Sequence, residues 1–184
     1  MHGTWSDGDT WKPDFVDYVE GLFHETSEKL NWSGGNTTGD RSEAAEYFAQ
    51  KIYEWHEEHP DDPIRLVGHS HGGNVAVMVT NILAKKGLKV PNLITIATPV
   101  RGYQLETDVG QHIHVYNDYD GVQINGGSIW AGGNALREFP DAENVNVSDE
   151  IPFWWGITSP KASHSIMHSN VGIWKKYIEP ILVH

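Results

Sequence analysis

The sequence predicts an α/β domain in which a mostly parallel sheet is flanked by helices. Two observations carry this expectation. Short apolar runs alternate with longer stretches of helical periodicity through most of the 184 residues, which is the pattern of repeated strand–helix units. The run at 64–67 is also short and apolar after a turn, as a buried parallel strand should be. The length suits one domain, 1–184, with a real core.

The elements follow in order. Residues 2–12 are polar and loop-like. Residues 13–26 read as a helix: Pro13 suits a first turn, and Phe15, Val19, Leu22 and Phe23 keep helical spacing. Residues 29–32 suggest a short strand, and the glycine- and threonine-rich 33–40 a loop. Residues 42–58 predict a helix with Ala45, Phe48, Ile52 and Trp55 as its buried stripe, capped by Asp40 or Ser42 and ended by Pro60 and Pro63. Residues 64–67, 93–97 and 112–116 read as buried strands, with a weaker one at 145–147. Between the first two, residues 72–86 predict a helix that buries Val75, Val79, Ile82 and Leu83 and stops at Gly87. Residues 171–179 predict a closing helix ended by Pro180.

Composition narrows the function. The chain has no cysteine, which rules out disulfides, thiolate chemistry and cysteine-bound zinc. Its formal charge of −12 repels nucleic acid backbone and disfavours anionic surfaces. No apolar run is long enough to span a membrane, and no signal peptide opens the sequence, which favours a cytoplasmic location. Eleven histidines raise the question of a metal. His112 and His114 share a strand face, but paired histidines there more often pack or hydrogen-bond, and no H-E-x-x-H string occurs. The expectation is no metal and no cofactor.

The strongest feature is Gly68-His69-Ser70-His71-Gly72-Gly73. A G-x-S-x-G string that leaves a strand and opens a helix is a nucleophile elbow. Its serine sits at the tip of a sharp turn, and a side chain two residues before or after it would strike neighbouring backbone. The following helix directs free N–H groups and its positive end at the site, where they can stabilise an oxyanion formed when Ser70 attacks a carbonyl. A serine hydroxyl also needs a base, usually histidine, oriented by a carboxylate. In chain order, the carboxylates Asp118 and Asp120 follow the strand ending at Tyr116, and His164 and His168 lie on a late loop.

Residues 68–73 resemble the elbow of bacterial lipases and esterases of the α/β-hydrolase superfamily, and His2-Gly3-Thr4-Trp5 is similar to the oxyanion-loop motif of that family. The segment 31–36 resembles the loop after the family's next strand. The resemblance implies a compact, minimal α/β-hydrolase. It favours Asp120, whose Asp-Gly-Val run is like the family's acid loop, over Asp118. It favours His164, six residues before Asn170, over His168. It implies backbone N–H groups of Thr4 and His71 as the oxyanion hole, and a structural role for His2.

Two departures matter. A buried strand runs into the H-G motif in the family, whereas here the motif begins at residue 2. The central strand is therefore missing from this sequence, along with the edge strands before it, whether through the placing of the start, a cut chain or a natural minimal fold; if the strand is truly absent, its two neighbours are expected to pair directly. Only fourteen residues, 98–111, connect two later strands, too few for a lid, so the site is expected to be lidless. The run 151–157 is aromatic, and Trp154 and Trp155, with Trp5, are candidate substrate-binding residues. The sequence thus points to a serine carboxylic-ester hydrolase that acts through an acyl-enzyme on short to medium acyl esters, with small-molecule or polymeric ester substrates. The alternatives are an acyltransferase or thioesterase using the same three residues, and an inactive hydrolase fold serving as a binding module.

Overall fold

The computed structural model describes residues 1–4, 6–126 and 135–183. Four strands, β1 (Arg65–His69), β2 (Asn92–Ile96), β3 (Gln111–Tyr116) and β4 (Glu143–Asn146), form one sheet in the order β1-β2-β3-β4. Every pairing is parallel. Every residue of β2 is buried, as expected of an interior strand covered on both faces.

Helices cover the two faces. On one side lie α2 (Thr38–Glu58) and α3 (His71–Lys85), whose Ala45, Phe48, Val75, Val79 and Leu83 build a core against Leu66 and Leu93. On the other, α1 (Pro13–Phe23) and the C-terminal segment pack Phe15, Ile173, Trp174 and Ile178 on Ile94, Ile113 and Val115. Alternate residues along each strand thus feed opposite cores.

Several expectations are corrected. Residues 29–32 form no strand; Trp32 instead donates its backbone N–H to His2 Nε2 at 3.2 Å and its indole N–H to the His2 carbonyl at 3.0 Å. The long helix starts at Thr38, not Ser42, because Thr37 and Asp40 form a reciprocal capping box. Trp55 lies on that helix but is exposed. The closing helix is irregular: α7 (Val171–Ile173) runs into a π turn, Trp174–Ile178, and a 3₁₀ turn, Glu179–Ile181. A proline N-terminal to a helical turn is tolerated, so Pro180 sits inside that last turn rather than ending the helix.

Among the described residues no strand pairs with the outer side of β1, so the expected pairing of two neighbours there does not occur. The sheet simply ends at β1. On the outer side of β1 Met1 is paired: its amino group donates to the Val67 carbonyl at 2.8 Å, and its carbonyl accepts from His69 N–H at 3.1 Å. Among the described residues between β3 and α7 lie the short helices α4 (Gly121–Asn125) before β4, then α5 (Trp155–Thr158) and α6 (Pro160–Ser165) after it. The connection from β2 to β3 carries no helix.

Candidate active site

In a parallel sheet all strands end on one rim, and the loops that leave that rim carry the site. β1 ends at His69, and the chain turns at once into α3. Ser70 occupies the turn with φ 55° and ψ −131°, a conformation costly for a residue with a Cβ and one concentrated at functional sites. The turn is held by Ser70 N–H donating to the Ile96 carbonyl at 2.7 Å. A Cβ on Gly68 would fall 2.5 Å from the Gly72 oxygen and 2.6 Å from Gly73 Cα; one on Gly72 would overlap the His2 carbonyl and sit 2.5 Å from that of Met1. Both positions therefore demand glycine because backbone passes where a side chain would be.

β3 ends at Tyr116, and Asp120 follows as the N-cap of α4. Asp120 is fully buried. Its Oδ1 accepts from Gln123 N–H at 2.9 Å, and its Oδ2 accepts from His164 Nδ1 at 2.7 Å. His164 lies on α6 and is itself buried. The carboxylate thus holds the proton on Nδ1 and leaves Nε2 as the basic nitrogen. His164 also leans on the elbow, since its carbonyl accepts from His69 Nε2 at 3.2 Å and the two rings lie 4.7 Å apart.

The rival residues are placed elsewhere. Asp118 is exposed and accepts from Asn146 Nδ2 at 2.9 Å. His168 is buried behind the site, stacked on His69 at 4.0 Å with its other side against the edge of Trp11. Burial pushes its pKa down to about 3 and holds that of His69 well below the ordinary value, so both rings are neutral near pH 7. His71 is likewise lowered to about 4 by burial, and its Nε2–H donates to the Gly126 carbonyl at 2.6 Å. As the first residue of α3, His71 has a backbone N–H with no intrahelical partner.

The loop at the start of the chain crosses over the serine. Gly3 approaches so closely that a Cβ there would lie 2.8 Å from Ser70 Cβ and 3.3 Å from Ser70 Oγ. His2 anchors this loop: its Nδ1–H donates to the Gly3 carbonyl at 2.9 Å while Nε2 accepts from Trp32. Thr4 Oγ1 is buried and has no partner among the described residues. Trp5 lies outside the described residues. On the late loop Trp154 is half exposed, Phe153 and Ile157 are exposed, and Trp155 packs against the second core. Gly156 holds this segment against the Tyr119 carbonyl, 2.6 Å from where its Cβ would be, so the aromatic strip adjoins the loop that carries Asp120.

Sequence reasoning missed the residues that tie these loops together. Arg137 donates from one nitrogen to the carbonyls of Asn117 and Asp120 at 2.9 and 2.8 Å and from another to that of Asp118 at 2.7 Å. Asn117 donates to the Ser163 carbonyl at 3.0 Å and accepts from Ser163 Oγ at 3.2 Å, fastening the acid loop to the helix that carries His164. Neither has a motif to betray it, because each donates to backbone carbonyls, which carry no mark in the sequence. His112 and His114 both meet Thr95 Oγ1, at 3.0 and 2.8 Å, and His114 Nε2–H donates to the Arg137 carbonyl at 2.7 Å, so both rings serve as hydrogen-bonding groups of the interior. Among the described residues no cluster of three or more metal-ligating side chains occurs, and no helix is long and apolar enough to cross a membrane.

A model of the PGAP1-like alpha/beta domain matches residues 22–130, more than half of the chain. The chain belongs to the PGAP1-like α/β domain family. The matched span of the PGAP1-like domain includes the elbow and Asp120 and stops short of His164. No curated protein matches the chain. Among solved structures, it is similar to the NocB thioesterase domain, determined as a covalent complex with a fluorophosphonate nocardicin G analog, at 13% identity over 92% of each chain and a TM-score of 0.46.

Proposed function

We propose that this PGAP1-like domain hydrolyses carboxylic esters through an acyl-enzyme, with Ser70 as nucleophile, His164 as general base and acid, and Asp120 as the group that orients the histidine. The observation that carries the reading is the buried Asp120–His164 contact of 2.7 Å beside a serine held at φ 55° on a strand-to-helix turn. A structural turn has no need of a strained serine, and a buried carboxylate with a buried imidazole is costly unless the pair has a task.

In this reading Ser70 Oγ attacks the substrate carbonyl carbon while His164 Nε2 takes the hydroxyl proton. The carbonyl oxygen becomes an oxyanion that accepts from the backbone N–H of His71 and that of Thr4. Collapse expels the alcohol, which receives the proton from His164, and leaves an acyl group on Ser70. Water then attacks that ester, His164 takes its proton, and the acid departs as Ser70 Oγ recovers a hydrogen. Removal of one oxyanion donor of this kind costs roughly 100-fold or more. The exposed apolar strip of Phe153, Trp154 and Ile157 supports short to medium acyl esters as substrates, with a polyester chain as a further substrate that such a strip would admit.

The test is release of p-nitrophenol from an acyl chain-length series by wild type and Ser70→Ala, with covalent labelling by a fluorophosphonate alongside. Turnover and labelling that both vanish in the variant support the reading. A folded wild-type protein that neither turns over nor labels is a binding module instead.

A further inference from the structure

Two guanidinium groups stand beside the elbow with no carboxylate to pair them. Arg41 lies in the first turn of α2 and is 5% exposed. A buried charge ordinarily takes an ionised partner, and this chain offers 25 acidic residues to 13 basic ones. Yet among the described residues no carboxylate lies within salt-bridge distance of Arg41. Its Nε donates to Tyr103 Oη at 2.8 Å, and its Nη1 is buried with no partner. The adjacent Asp40 does not serve, because its carboxylate closes the capping box on Thr37 N–H and Oγ1 at 3.0 and 2.6 Å.

Arg101, two residues before Tyr103, repeats the pattern. Its Nη2 donates to the Asn125 carbonyl at a long 3.5 Å, and its Nε is buried without a partner. The guanidinium lies on Gly126, with Nε 2.8 Å from where a Cβ would stand, and the Gly126 carbonyl accepts from His71 Nε2 at 2.6 Å. The loop that carries Arg101 and Tyr103 leaves β2 at the rim of the sheet where Ser70 sits. Asn74 of α3 ties it there by donating to the Pro99 carbonyl at 3.3 Å. Because α2 ends shortly before β1 begins, its first turn stands at that same rim. Burial is the main cause of the lowered His71 pKa, and the charges of Arg41 and Arg101 lower it further. Both cations are therefore within electrostatic reach of the residue that follows Ser70.

We propose that Arg41 and Arg101 form an anion subsite beside Ser70, which takes a carboxylate or phosphate group carried by the ester substrate. The inference rests on the assignment of Ser70 as nucleophile and narrows its substrates to esters with a negative charge in one half. A planar guanidinium offers its N–H groups to two oxygens of such an anion, and these are the acceptors that Arg41 Nη1 and Arg101 Nε lack. The first turn of α3 adds its positive end. The net charge of −12 makes this attraction local, since the rest of the surface repels a polyanion; a single anionic group is what fits.

The experiment measures kcat/KM at about pH 7.5, where carboxylates are ionised, on two matched pairs. Mono-p-nitrophenyl glutarate against p-nitrophenyl valerate places the charge in the acyl half, and 4-acetoxybenzoate against its methyl ester places it in the alcohol half. The anionic member of one pair is expected to be preferred by at least about tenfold, mainly through KM. That ratio should fall by about tenfold in Arg41→Met and in Arg101→Met, while Arg101→Lys, which keeps the charge without the fork, should retain part of it. Each ratio is read within one protein, so a general loss of activity does not imitate the effect, and the half-buried Arg101 serves if Arg41→Met does not fold. In Ser70→Ala, about 20 mM inorganic phosphate in place of chloride at equal ionic strength should raise the thermal midpoint by about 2 °C or more, a shift that the added Arg101→Met removes. Equal rates or a neutral preference in both pairs, in an enzyme that turns these esters over, would overturn the proposal and leave the role of Ser70 standing, even if phosphate binds, because the occupant would then be a free anion. Absence of turnover and of fluorophosphonate labelling would instead sink the assignment of Ser70, and the phosphate measurement would then decide the site: a shift lost with Arg101 supports it, and no shift overturns it.

Discussion

Replacing Asp120 by asparagine should separate catalysis from stability. The carboxylate has two obligations, accepting from Gln123 N–H at 2.9 Å with one oxygen and from His164 Nδ1 at 2.7 Å with the other. Asparagine has one oxygen to offer. If that oxygen keeps the helix cap, the amide NH₂ faces His164 Nδ1, which must then present a lone pair, and the imidazole proton moves to Nε2. The histidine can no longer accept the Ser70 proton. If the amide turns the other way, two N–H groups face each other at Gln123, at a cost of about 1–3 kcal/mol, so the first arrangement prevails. Either way the charge that stabilises the imidazolium is gone, an interaction of about 4 kcal/mol at 4 Å for an effective dielectric of 20. The expected result is a kcat lower by about 10³–10⁴-fold, or roughly 4–5.5 kcal/mol, with KM little changed. Because asparagine caps helices as well as aspartate does, the denaturation midpoint should correspond to within about 1 kcal/mol of wild type. Asp118→Asn, at an exposed position whose carboxylate accepts from Asn146, should retain activity within about twofold. Steady-state kinetics on a p-nitrophenyl ester with urea melts of all three proteins provide the measurement. Asp120→Asn with more than a tenth of wild-type kcat, or Asp118→Asn crippled to the same extent, would refute the reasoning.

The same geometry sets further outcomes. Gly72→Ala drives a methyl into the carbonyls of His2 and Met1, which are backbone and cannot swing away; it should cost about 2–3 kcal/mol in chemical denaturation, whereas Gly21→Ala, with nothing within 4 Å of the new methyl, should gain up to about 1 kcal/mol. Stability should fall as pH drops below about 6.5. Burial lowers His71 and His112 to about 4 and His114 and His168 to about 3, so between 6.5 and those values the unfolded chain binds protons that the folded one does not, and protonation favours unfolding; urea midpoints at pH 7.5 and 5.0 should differ by at least about 2 kcal/mol, and a flat profile would contradict the burial of these rings. Arg137→Met removes three bonds to the carbonyls of the acid loop; kcat should fall by about tenfold or more through misplacement of Asp120, and unchanged kcat would show that the loop holds itself. Trp154→Ala should shift the preferred acyl length more than it shifts the melting midpoint; a loss of folding without altered selectivity would make this residue structural instead.

The sheet and its helices were legible because their signals are local. Runs such as Leu93 to Ala97 are apolar at every position but Thr95, and the stripe through Ala45 and Phe48 repeats at helical spacing, so each reports its own burial. One error falls where a partner far along the chain decided the outcome, and another where a local pair was read as a single cap. Residues 29–32 have strand composition, yet the Trp32 backbone bonds to a His2 ring thirty residues away. Helix α2 begins early because Thr37 and Asp40 satisfy one another, a reciprocal pair that reading Asp40 as the cap itself overlooked.

The site divides in the same way. The elbow could be read from the sequence alone, because Gly68 answers to backbone only a few residues on, that of Gly72 and Gly73. Which carboxylate faces which histidine could not be, because Asp118 and Asp120 share one loop and His164 and His168 share another, and spacing does not say which way a side chain turns. The tertiary structure buries Asp120 against His164 while it leaves Asp118 to solvent and His168 to the stack on His69. Only it, too, could reveal that Arg137 and Asn117 hold those loops together, since they act on carbonyl groups that every residue possesses. Sequence determines whatever depends on a residue's own type and its near neighbours. Packing decides every choice between equivalent groups, because that choice rests on contacts between segments that the order of the chain does not bring together.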